Sequence, residues 1–354
     1  MLSYLRLILL PFSLLYALVM IIRNKLYDWG FLKSFQFDLP VISVGNLAIG
    51  GSGKTPATEY LVRLLSQYKI AILSRGYGRD TKGFLIADDD ATAQSIGDEP
   101  LQYFHKFSDV TVAVCEDRVR GINMLKDTHD LIILDDAFQH RSVVPGLSIL
   151  LFEFSKLRKK QWTLPAGDLR EPFSGYRRAD IVLITKCDVL TDSAVKEGLS
   201  NKIGNDIPVH FSMVRYADLL PVYDTTPVIP STPRVFLLTG IANPEPLITH
   251  IQSCYATVDV FRFSDHHVFT VAEIKALLKV FTSAREQEKI IITTEKDSKR
   301  LLGGAIKELL VNLPVFYLPI QMALGDADTA QFDKEILTYV SNTTRNRTIY
   351  QTKN

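Results

Sequence analysis

Cysteine is scarce in this chain: three residues in 354, Cys115, Cys187 and Cys254, far apart in sequence. That spacing supports neither a disulfide framework nor a thiolate metal site, and it fits a reducing compartment. A surplus of charge of one sign is also missing. Lys and Arg total 40 against 39 Asp and Glu, so the formal net charge is only +1. No global field therefore draws the protein to nucleic acid. There is no short-period repeat and no low-complexity tract. His266 and His267 are adjacent, but no cysteine or histidine stands at zinc spacing from them. What is present is a chain with 47% apolar and 22% charged residues, long enough for two α/β domains with sizeable cores.

The most informative stretch is 41–55, VISVGNLAIGGSGKT. It opens as a β-branched apolar run, read as a buried strand, and closes in Gly50, Gly51, Ser52, Gly53, Lys54 and Thr55. Glycines let successive backbone N–H groups face an anion, and the following helix aims its positive end at the same place. Lys54 supplies a mobile charge for β/γ-phosphates, and Thr55 a hydroxyl for Mg²⁺. Pro56 fits the first turn of a helix that continues with Leu61, Leu64, Leu65 and Tyr68 at helical spacing. The pattern G-x-x-x-x-G-K-[ST] asks for glycine at position 48, where this chain has Ala48. The stretch predicts binding of a nucleoside triphosphate.

Residues 7–22 are uncharged and apolar, between Arg6 and the pair Arg23 and Lys25. A full span needs about 20 residues, so the run is short for one. No small-x-small cleavage site follows, which argues against a signal peptide. A buried core helix and a membrane-embedded or interfacial anchor remain. The anchor is the preferred reading, with Tyr16, Tyr27 and Trp29 at the interface and the downstream basic residues on the cytoplasmic side.

Further along, 70–73 reads as a strand leading into Ser-Arg-Gly-Tyr-Gly-Arg at 74–79, where Arg75 and Arg79 stand at the ligand-gathering edge of a parallel sheet. Asp98 and Glu99 open the next helix, where acids serve as caps. Arg118 follows the strand 110–114. The run 130–136 is an apolar strand ending in Asp135 and Asp136, a Walker B-like element for Mg²⁺, with Gln139 just after it. Lys156, Arg158, Lys159, Lys160 and Trp162 form a basic and aromatic cluster suited to solvent, lipid head groups or a substrate phosphate. Thr185-Lys186-Cys187-Asp188 is a weak match to a guanine-reading N-K-x-D. Extended strands over 210–224 lead to a second α/β unit.

Together these segments resemble the tetraacyldisaccharide 4′-kinase family, the lipid A 4′-kinases. The resemblance is carried by SVGNL at 43–47, GGSGKTP at 50–56, SRGYGR at 74–79 and GDEP at 97–100. It continues in DDAFQH at 135–140, LPAGDLREP at 164–172, DHH at 265–267 and TTEKD at 293–297. It implies an α/β enzyme with a P-loop NTPase-type, mostly parallel sheet, an N-terminal membrane helix, and a smaller α/β domain joined by extended linker strands. The expected boundaries are 1–30 for the anchor, 31–207 for the kinase domain, 208–228 for the linker and 229–354 for the second domain. The implied reaction moves the γ-phosphoryl of ATP to the 4′-hydroxyl of a tetraacyldisaccharide 1-phosphate at the cytoplasmic face of the bacterial inner membrane. No nucleic acid and no obligate protein partner is expected.

By the same resemblance, Asp98 is the expected catalytic base, with His266 as its partner, and Asp136 acts beside them. Thr55, Asp135 and Glu171 are the expected Mg²⁺ residues. Arg75, Arg118, Arg170 and Gln139 are further site candidates. The competing readings are a membrane-associated GTP-driven switch or metallochaperone, and a nucleotide-binding scaffold without turnover.

Overall fold

The computed structural model describes residues 8–188, 191–224, 229–265 and 267–351, with side chains to residue 344 in the final helix. The chain divides into two units, Met1–Arg215 with Gln321–Asn354, and Tyr216–Ile320.

The first unit is built on β1 (Val41–Asn46), β2 (Ile70–Ser74), β3 (Leu85–Ile86) and β4 (Thr111–Val114), followed by β5 (Leu131–Asp135), β6 (Leu147–Glu153), β7 (Ile181–Thr185) and β8 (Val209–Tyr216). Side by side they run β8-β7-β6-β1-β5-β2-β4-β3. The pairs from β8 to β4 are parallel, and only β3 runs antiparallel, to β4. Every residue of β1, β2, β5 and β7 is buried. That is why these strands read as unbroken apolar runs: both faces of a parallel sheet are covered. On one face Ile42, Val44, Ile133, Ile149 and Leu183 pack with Leu61 and Leu65, which follow the glycine loop. On the other, Leu47, Leu150, Phe152, Val182 and Ile184 form a separate core. The register Val44↔Asp135 places the acid pair next to the strand that feeds the glycine loop.

The second unit contains β9 (Leu220–Pro221), β10 (Arg234–Thr239), β11 (Val258–Arg262), β12 (Lys289–Thr294) and β13 (Val315–Leu318), in the order β11-β10-β12-β13-β9. Only β9 is antiparallel to its neighbour. The TTEKD segment serves this unit's fold. Asp297 is fully buried and accepts hydrogen bonds from Gly240 N at 2.9 Å, Thr294 Oγ1 at 2.8 Å and Arg300 Nη1 at 2.9 Å. His267 stacks on Phe263 and lies 3.0 Å from Glu273, whose carboxyl is held down near 2 by that imidazole and by Thr270. His266 lies outside the described residues.

The expectation that 229–354 forms one domain is corrected here. After β13 the chain leaves the second unit: β14 (Ile320–Leu324) lies beside β8 in the first sheet, and the helix Asp326–Gln351 follows it. Phe332, Ile336 and Val340 of that helix are buried among Ile42, Leu61 and Ile149. Tyr339 Oη accepts from Val41 N at 3.0 Å. The strand expected to be linker, β8, is likewise a member of the first sheet, paired with β7.

The helix Leu10–Asp28 has the length and composition to cross a membrane. It is not a core helix, since Ser13 is its single buried residue. Phe12, Leu14, Leu15, Leu18, Val19, Ile21 and Ile22 are all exposed.

Because Phe332 is buried against Tyr60 and His210, Phe332→Ala should destabilise the first unit by about 3–5 kcal/mol. Urea unfolding followed by near-UV circular dichroism would read this. A loss under about 1 kcal/mol would mean that the final helix is not part of that core.

Candidate active site

The glycine loop leaves β1 at Asn46 and enters the helix Lys54–Leu64. Gly50 and Gly53 have φ of +93° and +82°, a region that side chains avoid, so both positions need glycine. Ala48 is not among the described positive-φ residues and instead bridges antiparallel to Leu169. The loop therefore makes no demand for glycine there, and the departure at position 48 is harmless. Ile49 N donates to Asp168 O at 2.8 Å, so the 164–172 segment backs the loop. Asn46 Nδ2 donates to Ala48 O at 2.6 Å and closes the turn from inside.

Arg170 joins these parts. Its guanidinium forks across Asp136, with Nη2–Oδ1 at 2.7 Å and Nη1–Oδ2 at 3.1 Å. It also donates to Asn46 O at 3.1 Å and to the Asn46 side-chain oxygen. Lys54 Nζ lies 3.4 Å from Asn46 Oδ1 and 3.7 Å from Asp136 Oδ1. Asp136 sits just past β5 with φ of +48°, a conformation that non-glycine residues keep only where the surroundings fix it. Burial would raise its pKa, but Arg170 and then Lys54 more than reverse this, and the net shift is downward.

Asp135 is the opposite case. It is 1% exposed, and among the described residues neither of its oxygens has a hydrogen-bond partner. Burial, then the charge of Glu99, raises its pKa to about 7, against the pull of Lys54. A buried carboxylate with unsatisfied oxygens is unstable as an anion unless a cation joins it.

Glu171 is buried too, but its oxygens are taken. Arg178 Nη2 donates to both at 2.8 and 2.9 Å, Gln139 Nε2 to Oε1 at 3.1 Å, and Asn24 Nδ2 to Oε2 at 3.0 Å. Through these contacts the Glu171 carboxylate ties the N-terminal helix to the glycine-loop region. Gln139 spans the gap to the glycine loop by donating to Asn46 O at 2.9 Å. The N-terminal helix adds Tyr16 Oη to Arg170 O at 2.8 Å, Arg23 Nη2 to Gln139 O at 3.2 Å, and Ala166 N to Ser13 Oγ at 2.8 Å.

Of the other candidates, Arg118 is 2% exposed and donates to Cys115 O. Burial lowers its pKa to about 10, with the Asp135 charge opposing. Arg75 is exposed, and its charge is felt at Arg118. Arg79 is not available to a ligand phosphate, since it pairs with Glu116 at 2.7 Å and with Gly83 O at 2.7 Å. Asp98 is half-buried and starts the helix Asp98–Lys106, after Gly97 at φ +97°. Gly97 packs tightly on the 74–79 turn: a Cβ there would meet Tyr77 O at 3.1 Å.

Sequence reasoning gave no role to Asn46, Arg178 or Asn24, and read Glu99 only as an acid at a helix start. Asn46 was visible in the SVGNL motif. Asn24 and Arg178 carry no local signal, because their partner is Glu171. Among the described residues no group of three or more His, Cys, Asp or Glu could hold a metal ion by itself. Mg²⁺ that arrives with a nucleotide needs only one or two carboxylates and the phosphates.

A glycine loop between a central parallel strand and a helix, with Lys54 and an acid pair on the neighbouring strand, defines a P-loop nucleotide-binding protein. The family is narrower. The model for the family described as tetraacyldisaccharide-1-P 4′-kinase matches residues 5–341, and the chain belongs to that family. The tetraacyldisaccharide 4′-kinase of Phocaeicola vulgatus is 40% identical, over 95% of this chain and 95% of that one. The enzyme of the same name from Flavobacterium psychrophilum is 42% identical, over 97% and 99%. The crystal structure of "apo" form LpxK from Aquifex aeolicus in complex with ATP is similar with a TM-score of 0.75 and 30% identity, covering 95% of this chain and 99% of that chain.

The state of Asp135 has a measurable consequence. A carboxylate whose pKa rises from 3.8 to about 7 on folding favours the native state least above pH 7, where it must be buried charged. Without divalent cation, Asp135→Asn should therefore stabilise the protein at pH 8, by on the order of 2 kcal/mol, and by less at pH 5. Thermal unfolding at the two pH values tests this. A variant less stable than wild type at pH 8 would overturn it.

Proposed function

We propose that this chain is an ATP-dependent lipid kinase that transfers the γ-phosphoryl group to the 4′-hydroxyl of a tetraacyldisaccharide 1-phosphate in lipid A biosynthesis. The observation that carries this reading is the Lys54–Asp136–Arg170–Asn46 cluster on the glycine loop, in a chain whose family relative was crystallised with ATP.

Phosphoryl transfer needs positioning and charge stabilisation more than covalent help. The loop amides and Lys54 bind the β- and γ-phosphates. Arg170, held by Asp136, stands ready to face charge that develops on the transferring group. Asp135 suits Mg²⁺ because its buried oxygens have no other partner among the described residues, and Thr55 is its companion. When bound, the ion would neutralise charge on the β- and γ-phosphates. Asp98 is the proposed base that takes the proton from the sugar hydroxyl. Arg75 and Arg118 add positive charge on the Asp135 side of the site.

The exposed apolar face of Leu10–Asp28 supports anchoring at the inner membrane, with the site on the cytoplasmic side. The acceptor's acyl chains can then stay in the bilayer while its sugar reaches the loop. A GTP-driven switch or metallochaperone is not favoured, since the named relatives are kinases.

The test is label transfer from γ-labelled ATP to the tetraacyl disaccharide 1-phosphate, with Mg²⁺ and full-length protein in detergent. Label should enter the lipid. Lys54→Ala and Asp98→Ala should each reduce turnover by about a hundredfold or more, with ATP binding retained only in Asp98→Ala. Hydrolysis that prefers GTP and leaves the lipid unlabelled would refute the kinase reading.

A further inference from the structure

The Thr185-Lys186 turn, a poor guanine-reading motif, does something else in this fold. Asp136 and Lys186 are the two non-glycine residues with positive φ among the described residues, and both directly follow strands of the first sheet. Lys186, at φ +57°, extends its ammonium to Gly51 O and lies 3.5 Å from Glu153 Oε2. Its neighbour Thr185 donates to Ser52 O at 2.8 Å. Lys156 donates to Ile49 O at 3.3 Å and lies 3.9 Å from the same Glu153 oxygen. Three carbonyls of the glycine loop are thus each held by a side chain from outside the loop.

The consequence follows from peptide geometry. In a trans peptide the C=O and the next N–H point in opposite directions. Holding Gly51 O toward Lys186 sets the Ser52 amide on the other side, where it donates to Gly50 O at 3.0 Å within the loop. Holding Ile49 O and Ser52 O fixes the Gly50 and Gly53 amides in the same way. A glycine loop has many accessible conformations, and binding an anion must select one of them. These contacts hold the loop in one conformation.

We propose that Lys186 is a positioning residue for ATP, acting through the Gly51 carbonyl to keep the phosphate loop in its anion-binding conformation. Glu153 steers the ammonium, and Thr185 and Lys156 brace the adjacent peptides. The proposal rests on the nucleotide-binding part of the kinase reading and not on the identity of the lipid.

Direct binding of Mg-ATP to the full chain in detergent, by equilibrium dialysis, tests it without lipid turnover. Lys186→Met should weaken binding about tenfold, the scale of one charge-assisted hydrogen bond, while Lys186→Arg, which keeps a donor, stays within about threefold of wild type. Lys186 is exposed, so both variants should fold. The KM for lipid should not move in either. Lys186→Met binding ATP as tightly as wild type would remove the clamp alone, as would Lys186→Arg losing as much as Lys186→Met. Wild-type protein that bound no ATP would remove both the clamp and the nucleotide reading.

Discussion

One guanidinium holds the site together. Arg170 grips the Asp136 carboxylate with two nitrogens and the Asn46 carbonyl with one of them. Its own backbone carbonyl is held by Tyr16 of the N-terminal helix. It therefore connects the end of β1, the end of β5 and the N-terminal helix. A planar fork is suited to this, because its donors are fixed relative to one another and a lysine would supply only a point charge. The arrangement also explains how adjacent acids acquire opposite characters. Asp136 is compensated and stays ionised, while Asp135 is left buried with its oxygens unsatisfied among the described residues. The site stores the need for a cation in one carboxylate and removes it from the other.

The N-terminal helix shows two physical demands met by one segment. Seven of its apolar side chains, from Phe12 to Ile22, face outward. A narrow polar stripe, Ser13, Tyr16, Arg23 and Asn24, binds the 163–171 segment and Gln139. The 163–171 segment in turn backs the glycine loop through Asp168 O and Leu169. A helix that served only as a tether would not need this stripe. Its hydrogen bonds instead give the helix a fixed orientation on the first unit.

Much of this was legible in the sequence, for physical reasons. Strands buried on both faces leave unbroken apolar runs, so β1, β2, β5 and β7 could be read directly. The glycine loop was legible because its residue types are dictated by backbone geometry and phosphate chemistry. What escaped reading was set by distant partners. Glu171 was placed near the metal only by the family resemblance; Arg178 and Asn24, which engage its oxygens, leave no local mark. The return of the final helix to the first unit was invisible as well, since Phe332, Ile336 and Val340 form an apolar stripe that fits either core. Lys186 was noticed for a motif it does not fulfil, while its place at the Gly51 carbonyl depends on the pairing of β6 and β7.

The claim on which the account turns is that Arg170 and Asp136 act as one unit. Turnover of Arg170→Ala, Asp136→Asn and the double variant measures it as a double-mutant cycle. The account predicts strong coupling, with the double variant about as impaired as the worse single variant, because each residue works through the other. Losses that multiply would show two independent contributions and would contradict it.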